Sequence, residues 1–398
     1  MMHKATHERH DLWILVILSA LMSFSSISMD MYLPALPTLV TDLTTDVKHV
    51  ELTVSTFLLG FSLAQLIWGP VGDRYGRRLP IALSMLLFCV GSVGCAMSGS
   101  IEQILVWRVI QAIGACAGPV LARAMVRDLY AQERSAQMLS VLILMMAIAP
   151  LLGPLVGGQL LTIWSWRAIF WVLAACGLIG CAGILTLPET LPRERRRIEP
   201  VSQMLANYLR LLCNPRLIGY ALVGAFFYGG CYAFIAGTPF AYVDYYHVPA
   251  RLYGFLVGGN IIGLMLMNYV NTRLIPKFGS ERLLHFGCWI AAASGVVLAI
   301  DAHFGWGGIF GLAAPIFCFM SVSGLIVANS LANAMSAFPQ QAGAVSSLIG
   351  AAQYGSGIFS AAMLGWFADG TPWTMGWIVA AAGVGCLISA LWHGSNKP

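Results

Sequence analysis

Two ionisable side chains stand well inside apolar runs of this sequence: Asp30, within Ser28–Pro34 (SMDMYLP), and Arg108, at the head of RVIQAIGA. A charge at bilayer depth costs a few kcal/mol or more, so an acid kept there carries a functional expectation. Such a carboxylate holds either a proton or a contact to a bound molecule, which is the elementary requirement of exchange across a membrane. Structural readings stand beside the functional ones. Asp30 would bond Ser26 or Arg108, and Arg108 would tie two helices together through backbone carbonyls.

No catalytic set accompanies this pair. Outside the N-terminal tail, His49, His247, His285, His303 and His393 fall in loops or at the ends of apolar runs, and no acid besides Asp30 lies deep. His3, His7 and His10 share a polar tail that reads as solvated rather than as a metal site. The ten cysteines contain no CxxC pair. Neither an enzyme nor a metal or cofactor is expected.

The elements that must position Asp30 and Arg108 are membrane helices. Of 398 residues, 58% are hydrophobic and 10% charged, against roughly 25% charged in soluble domains. A bilayer core about 30 Å thick takes about 20 apolar helical residues per crossing, because lipid offers no partner to an unpaired backbone group. Runs at 12–36, 49–71, 79–97, 102–124, 138–162, 166–187, 214–241, 251–272, 282–300, 306–329, 343–367 and 374–392 predict an all-α membrane protein of twelve transmembrane helices. The first run is too long for a signal-peptide core and lacks a small-residue cleavage site, so it is expected to stay as the first helix. At 1.5 Å per residue, Asp30 lies about 9 Å before the outer end of that helix and Arg108 about 9 Å after the outer start of the fourth. The two share a depth.

Charge placement orients the bundle. An even number of spans puts both termini on one side, and 18 of the 22 Lys and Arg residues fall there, whereas Lys48, Arg167 and Arg251 face the other side. Both termini are therefore expected to be cytoplasmic. Basic residues in short loops beside spans are topogenic, so no nucleic-acid partner is expected. A channel would show rings of repeated polar residues around a symmetric pore, and here the charge is concentrated in the first half.

The one long polar interruption, Glu189–Arg216, divides the spans six and six. It predicts an N-terminal bundle (1–188), a cytoplasmic linker with a short amphipathic helix (189–213) and a C-terminal bundle (214–398). A repeat supports the division: DRYGRRL from Asp73 returns 203 residues later as PKFGSERL from Pro276, pairing Arg74 with Lys277, Tyr75 with Phe278 and Gly76 with Gly279.

GPVGDRYGRR, Gly69–Arg78, joins small residues at a helix end to an acid and three arginines in a short loop. Topogenic charge explains the arginines but neither Asp73 nor Gly76. The stretch resembles GxxxDRxGRR, the loop signature of the major facilitator superfamily. The resemblance implies that Gly69, Asp73, Arg74, Gly76, Arg77 and Arg78 form a latch between the halves at their cytoplasmic ends. RVIQAIGA resembles the family's fourth-helix signature RxxQGxG, with Ala112 in place of the first Gly. APLLGPLVGG, Ala149–Gly158, resembles the fifth-helix signature gxxxGPxxGG of the exporter branch. There Pro150 and Pro154 bend the helix, Gly153 and Gly157 open one face to a neighbouring backbone, and Gly158 completes the motif.

SMDMYLPALP, together with PETLPRERR and FPQQAGAVSSL, is similar to the Bcr/CflA type of drug-resistance exporter among the drug:proton antiporters, and the resemblance spans essentially the whole chain. It implies a central cavity lined by the first and fourth helices of each half, with Asp30 exchanging a proton for a drug and Arg108 relaying its charge state. The rival within transport is a proton-coupled exporter or symporter of a metabolite or sugar. A drug pocket should be mainly apolar and aromatic with a few polar groups. Tyr32, Phe227, Tyr232, Asn260, Asn329 and Gln353 are its candidates, beside the reading that they only pack helices. Small drugs, protons and lipid are the expected partners of a monomer spanning the bacterial inner membrane.

Overall fold

The computed structural model describes residues 2–130, 132–196, 201–338 and 341–395 and is helical throughout, with no strand among them. The long helices follow the apolar runs in order: α1 (Met2–Asp30), with the short α2 (Leu36–Asp42), then α3 (Val47–Tyr75), α4 (Arg78–Met97), α5 (Ile101–Leu129), α6 (Gln132–Ile163) and α7 (Trp166–Thr186). After α8 (Val201–Leu212) come α9 (Pro215–Pro239), α10 (Ala250–Phe278), α11 (Ser280–Phe304), α12 (Gly308–Ser321) with α13 (Asn329–Ala337), α14 (Ala342–Trp366) and α15 (Trp373–Ser395). Among the described residues ten helical stretches are long and apolar enough to cross a membrane, with Leu12–Asp42, Pro215–Tyr245 and Gly308–Ala337 each taken as one. The side chains of His3, His7 and His10, residues 197–200 of the linker and residues 339–340 of FPQQAGAVSSL lie outside what is described.

Helix ends run past the expected boundaries because the first charged residue does not stop a helix whose other face is packed. α5 continues through Arg127 to Leu129, and α10 through Arg273 to Phe278. The largest difference is in the first span. α1 ends at Asp30, a 3-10 turn follows at Leu33–Ala35 with Pro34 in its first positions, and α2 carries the chain on to Asp42. Asp30 is thus twelve residues, about 18 Å of helix, from the end of the stretch rather than about 9 Å, and it sits where the regular helix breaks.

The repeat in the sequence is a repeat in the packing. α1 packs on α6 as α9 packs on α14, α3 on α5 as α10 on α12, and α4 on α7 as α11 on α15. Gly76 (φ +95°) and Gly279 (φ +77°), paired by the sequence, both end their helices in the positive-φ region that favours glycine.

The most extensive contacts between the sequence halves are those of α3 with α14 and of α6 with α10. The α3–α14 seam is polar as well as apolar. Ser62 Oγ donates to the Ala351 carbonyl at 2.9 Å, Ser55 Oγ to the Ile358 carbonyl at 3.4 Å, and the Phe61 and Tyr354 rings lie 4.4 Å apart. Without a hydrophobic drive between helices in lipid, such close contacts and hydrogen bonds are what hold a membrane bundle.

Candidate functional site

Asp30 is 7% exposed, at the last residue of α1. Small residues on α6 bring it there. A Cβ added to Gly153 would stand 2.6 Å from the Asp30 Cβ, and one on Gly157 would overlap the Met31 carbonyl oxygen, so α6 lies directly on the backbone at the break. This is the close approach expected of the APLLGPLVGG face. Among the described residues the Asp30 carboxylate makes no hydrogen bond or ion pair. Tyr232 of α9, Tyr253 of α10 and Tyr354 of α14 lie within electrostatic reach of it.

Arg108 is fully buried on α5. Its guanidinium donates to the Ser28 carbonyl at 3.3 Å and to Gln111 Oε1 at 2.8 Å, and it lies over the rings of Tyr32 at 4.6 Å and Phe57 at 4.3 Å. Gln111 in turn donates to Ser92 Oγ on α4 at 2.8 Å. Arg108 therefore meets the end of α1 at Ser28 and Met29, just before Asp30, and its partners are a carbonyl, an amide, the Met29 sulfur at 3.7 Å and two rings rather than the carboxylate. Its Nε has no partner.

The pocket candidates separate. Tyr232 belongs to an aromatic group at the centre with Tyr228, Tyr354 and Phe61, its ring 5.9 Å from Tyr228 and 6.1 Å from Tyr354. Gln353, 6% exposed and next to Tyr354 in the chain, lies against Gly224 of α9 and leaves its Nε2 unpaired. Asn260 is 7% exposed on α10. The other three are packed: Tyr32 bonds Thr53 at 2.9 Å under Arg108, Phe227 stacks on Phe319 at 5.1 Å, and Asn329 bonds Asn271 Oδ1 at 3.0 Å and the Leu325 carbonyl at 2.9 Å. The sequence reading missed Tyr253 and Tyr354. Nothing in a single helix marks them, because packing between the halves is what brings them within electrostatic reach of Asp30.

At the other end of α3, the loop charges pair within the first half. Asp73 Oδ1 meets Arg77 at 2.6 Å, and Arg77 Nε meets Asp128 Oδ2 of α5 at 3.0 Å. Glu189, expected to open the linker, folds back onto the loop and accepts from the amides of Arg77 at 2.8 Å and Arg78 at 3.2 Å, while Arg78 also donates to the Leu185 carbonyl. Arg74 lies over Tyr75, 5.6 Å from its ring centre. A cavity of about 570 Å³, which also takes in Gly69 and Arg123, separates this network from α13 and α14. These contacts clasp the loop to α5 and to Glu189.

Because Arg77 and Arg78 stand at the start of α4, the Glu189 carboxylate caps that helix from outside it. Replacing Glu189 with Ala should cost about 1–2 kcal/mol, read as a lower melting temperature in detergent. Gln at the same position should recover part of the loss, since it keeps one acceptor.

The sequence model of the Major Facilitator Superfamily matches residues 17–361. The chain belongs to the major facilitator superfamily. Within it, the chain is 30% identical over 342 residues to the bicyclomycin resistance protein homolog of Haemophilus influenzae, covering 86% of this chain and 85% of that protein. It is 27% identical over 367 residues to multidrug resistance protein D of Escherichia coli, covering 87% of each. The fold is similar to that of the xylose transporter XylE from E. coli in a partially occluded inward open conformation. That similarity has a TM-score of 0.75 at 15% identity and covers 97% of this chain and 98% of the other. The superfamily resemblance carried by the loop and helix signatures is thus borne out, and with it the all-helical fold.

Proposed function

We propose that the protein exports small, mostly apolar drugs in exchange for protons by alternating access, as a transporter and not an enzyme. In this reading all twelve long helices, α6 and α14 included, cross the bacterial inner membrane. They form bundles at 1–188 and 214–398 around the 189–213 linker, both termini are cytoplasmic, and the chain works as a monomer.

One observation carries the reading: a buried acid, Asp30, with no hydrogen-bonding or ionic partner among the described residues, at a helix break, within electrostatic reach of tyrosines from the opposite half. Relatives named for resistance to bicyclomycin and to multiple drugs support drugs as the cargo. The exporter-type glycine face of α6 supports antiport over the symport of a sugar or metabolite.

The cycle follows from one carboxylate with two uses. Protons from outside load Asp30 in the outward state and displace the drug. Reorientation exposes it to the more alkaline cytoplasm, where losing the proton restores the site for the next drug and favours the return. Arg108 is a positioning residue that fixes the end of α1 through the Ser28 carbonyl.

The test is transport by the purified protein in proteoliposomes under an imposed pH gradient, with one neutral and one cationic drug. Drug movement opposite to the proton flow, lost on adding a protonophore, is expected. Movement in the same direction as the protons would establish the symporter reading instead.

A further inference from the structure

A second carboxylate is buried where the sequence reading expected none. Glu51, one turn into α3, is 2% exposed, and its Oε2 has no hydrogen-bond partner. It lines a cavity of about 450 Å³ at the end of the molecule opposite to the Asp73–Glu189 clasp, between α3, the end of α9 and the α14–α15 turn. Four acids, Asp46, Glu51, Asp244 and Asp369, line this space against one base, Lys48. Asp46 is engaged in capping α3 at His49, and Asp369 in bonding Thr371, which leaves Glu51 and Asp244 for a ligand.

Two features give the space a chemical preference. Gly365 packs against the carboxylate with no side chain of its own to cap it, since a Cβ there would stand 3.0 Å from Glu51 Oε2. The next residue, Trp366, presents its ring to a cation already: Lys48 Nζ lies 5.2 Å from the ring centre and forms no ion pair with Glu51. Phe240 and Tyr245 add apolar wall. An unpaired buried carboxylate beside aromatic faces is the chemistry that recognises an organic cation, with the lysine ammonium as the occupant that such a cation would displace.

We propose that this cavity is a subsite for monovalent organic cations, held between the Glu51 carboxylate and the Trp366 ring and separate from the Asp30 site. Its place at the periplasmic mouth, on the exit side, rests on the exporter reading above; the binding itself does not. Neutral drugs have no use for it, so Glu51 divides substrates by charge.

The experiment measures equilibrium binding of tetraphenylphosphonium, a permanent cation, and of chloramphenicol, which is neutral, to the full-length protein in detergent. Glu51→Gln, a near-isosteric change, should weaken tetraphenylphosphonium binding by about tenfold or more, the order expected from losing one charge-assisted contact, and leave chloramphenicol unchanged. Trp366→Leu should weaken the cation alone without touching the buried carboxylate, so a folding defect in one variant does not decide the result. Unchanged cation affinity in both variants, equal loss of both probes, or no cation binding by the natural chain would overturn the subsite. Proton-coupled export of chloramphenicol by Glu51→Gln tests the exporter reading separately, because that activity depends on Asp30 and not on Glu51.

Discussion

Asp30→Asn should leave a folded protein that no longer couples drug movement to protons. Accumulation driven by an imposed pH gradient is expected to fall to the level of protein-free vesicles. The change is nearly isosteric, and the carboxylate it replaces has no hydrogen-bonding or ionic partner among the described residues, so little of the fold depends on it. A buried charge kept without such a partner has no structural reward to offset its desolvation, which is why its loss should appear in coupling rather than in stability. An amide keeps the shape and cannot take up or release the proton. Normal coupling in Asp30→Asn would remove Asp30 from the mechanism, and loss of folded protein would make it a structural acid.

Arg108→Ala should do the reverse and destabilise the bundle. The guanidinium joins α5 to the end of α1 through Ser28, bonds Gln111, and fills the space between the Tyr32 and Phe57 rings. Truncation leaves a buried acceptor on Gln111 unmatched and opens a cavity between two helices. Together these should cost about 3–5 kcal/mol. The yield of monodisperse protein and its melting temperature should both drop. Arg108→Lys should not restore them, because an ammonium cannot reach both acceptors or lie flat between two rings. A wild-type melting temperature in Arg108→Ala would show that α1 is held elsewhere.

The sequence revealed the membrane helices because lipid imposes a length and an apolarity that one segment alone must meet. It revealed Asp30 and Arg108 for the same reason, since a charge inside such a segment stands out. Gly76, Gly279 and the α6 glycines were legible through local rules of backbone geometry and close packing. Glu51 was not, because it lies near a helix end where acids ordinarily meet water, and the close approach of α14 at Gly365 is a contact between distant segments. Glu189 read as linker for a similar reason: its polar neighbours hid the fold-back onto the start of α4. The tyrosines near Asp30 come from three separate helices, and the break after Asp30 left the first span longer than its apolar run suggested.

Proton-for-drug exchange at Asp30 is measured most directly by proton release on adding drug to the purified protein in weakly buffered detergent solution. Release that saturates with drug in the natural chain and vanishes in Asp30→Asn is the expected result. Equal release from both proteins, or no release from the natural chain while the drug still binds, would contradict it.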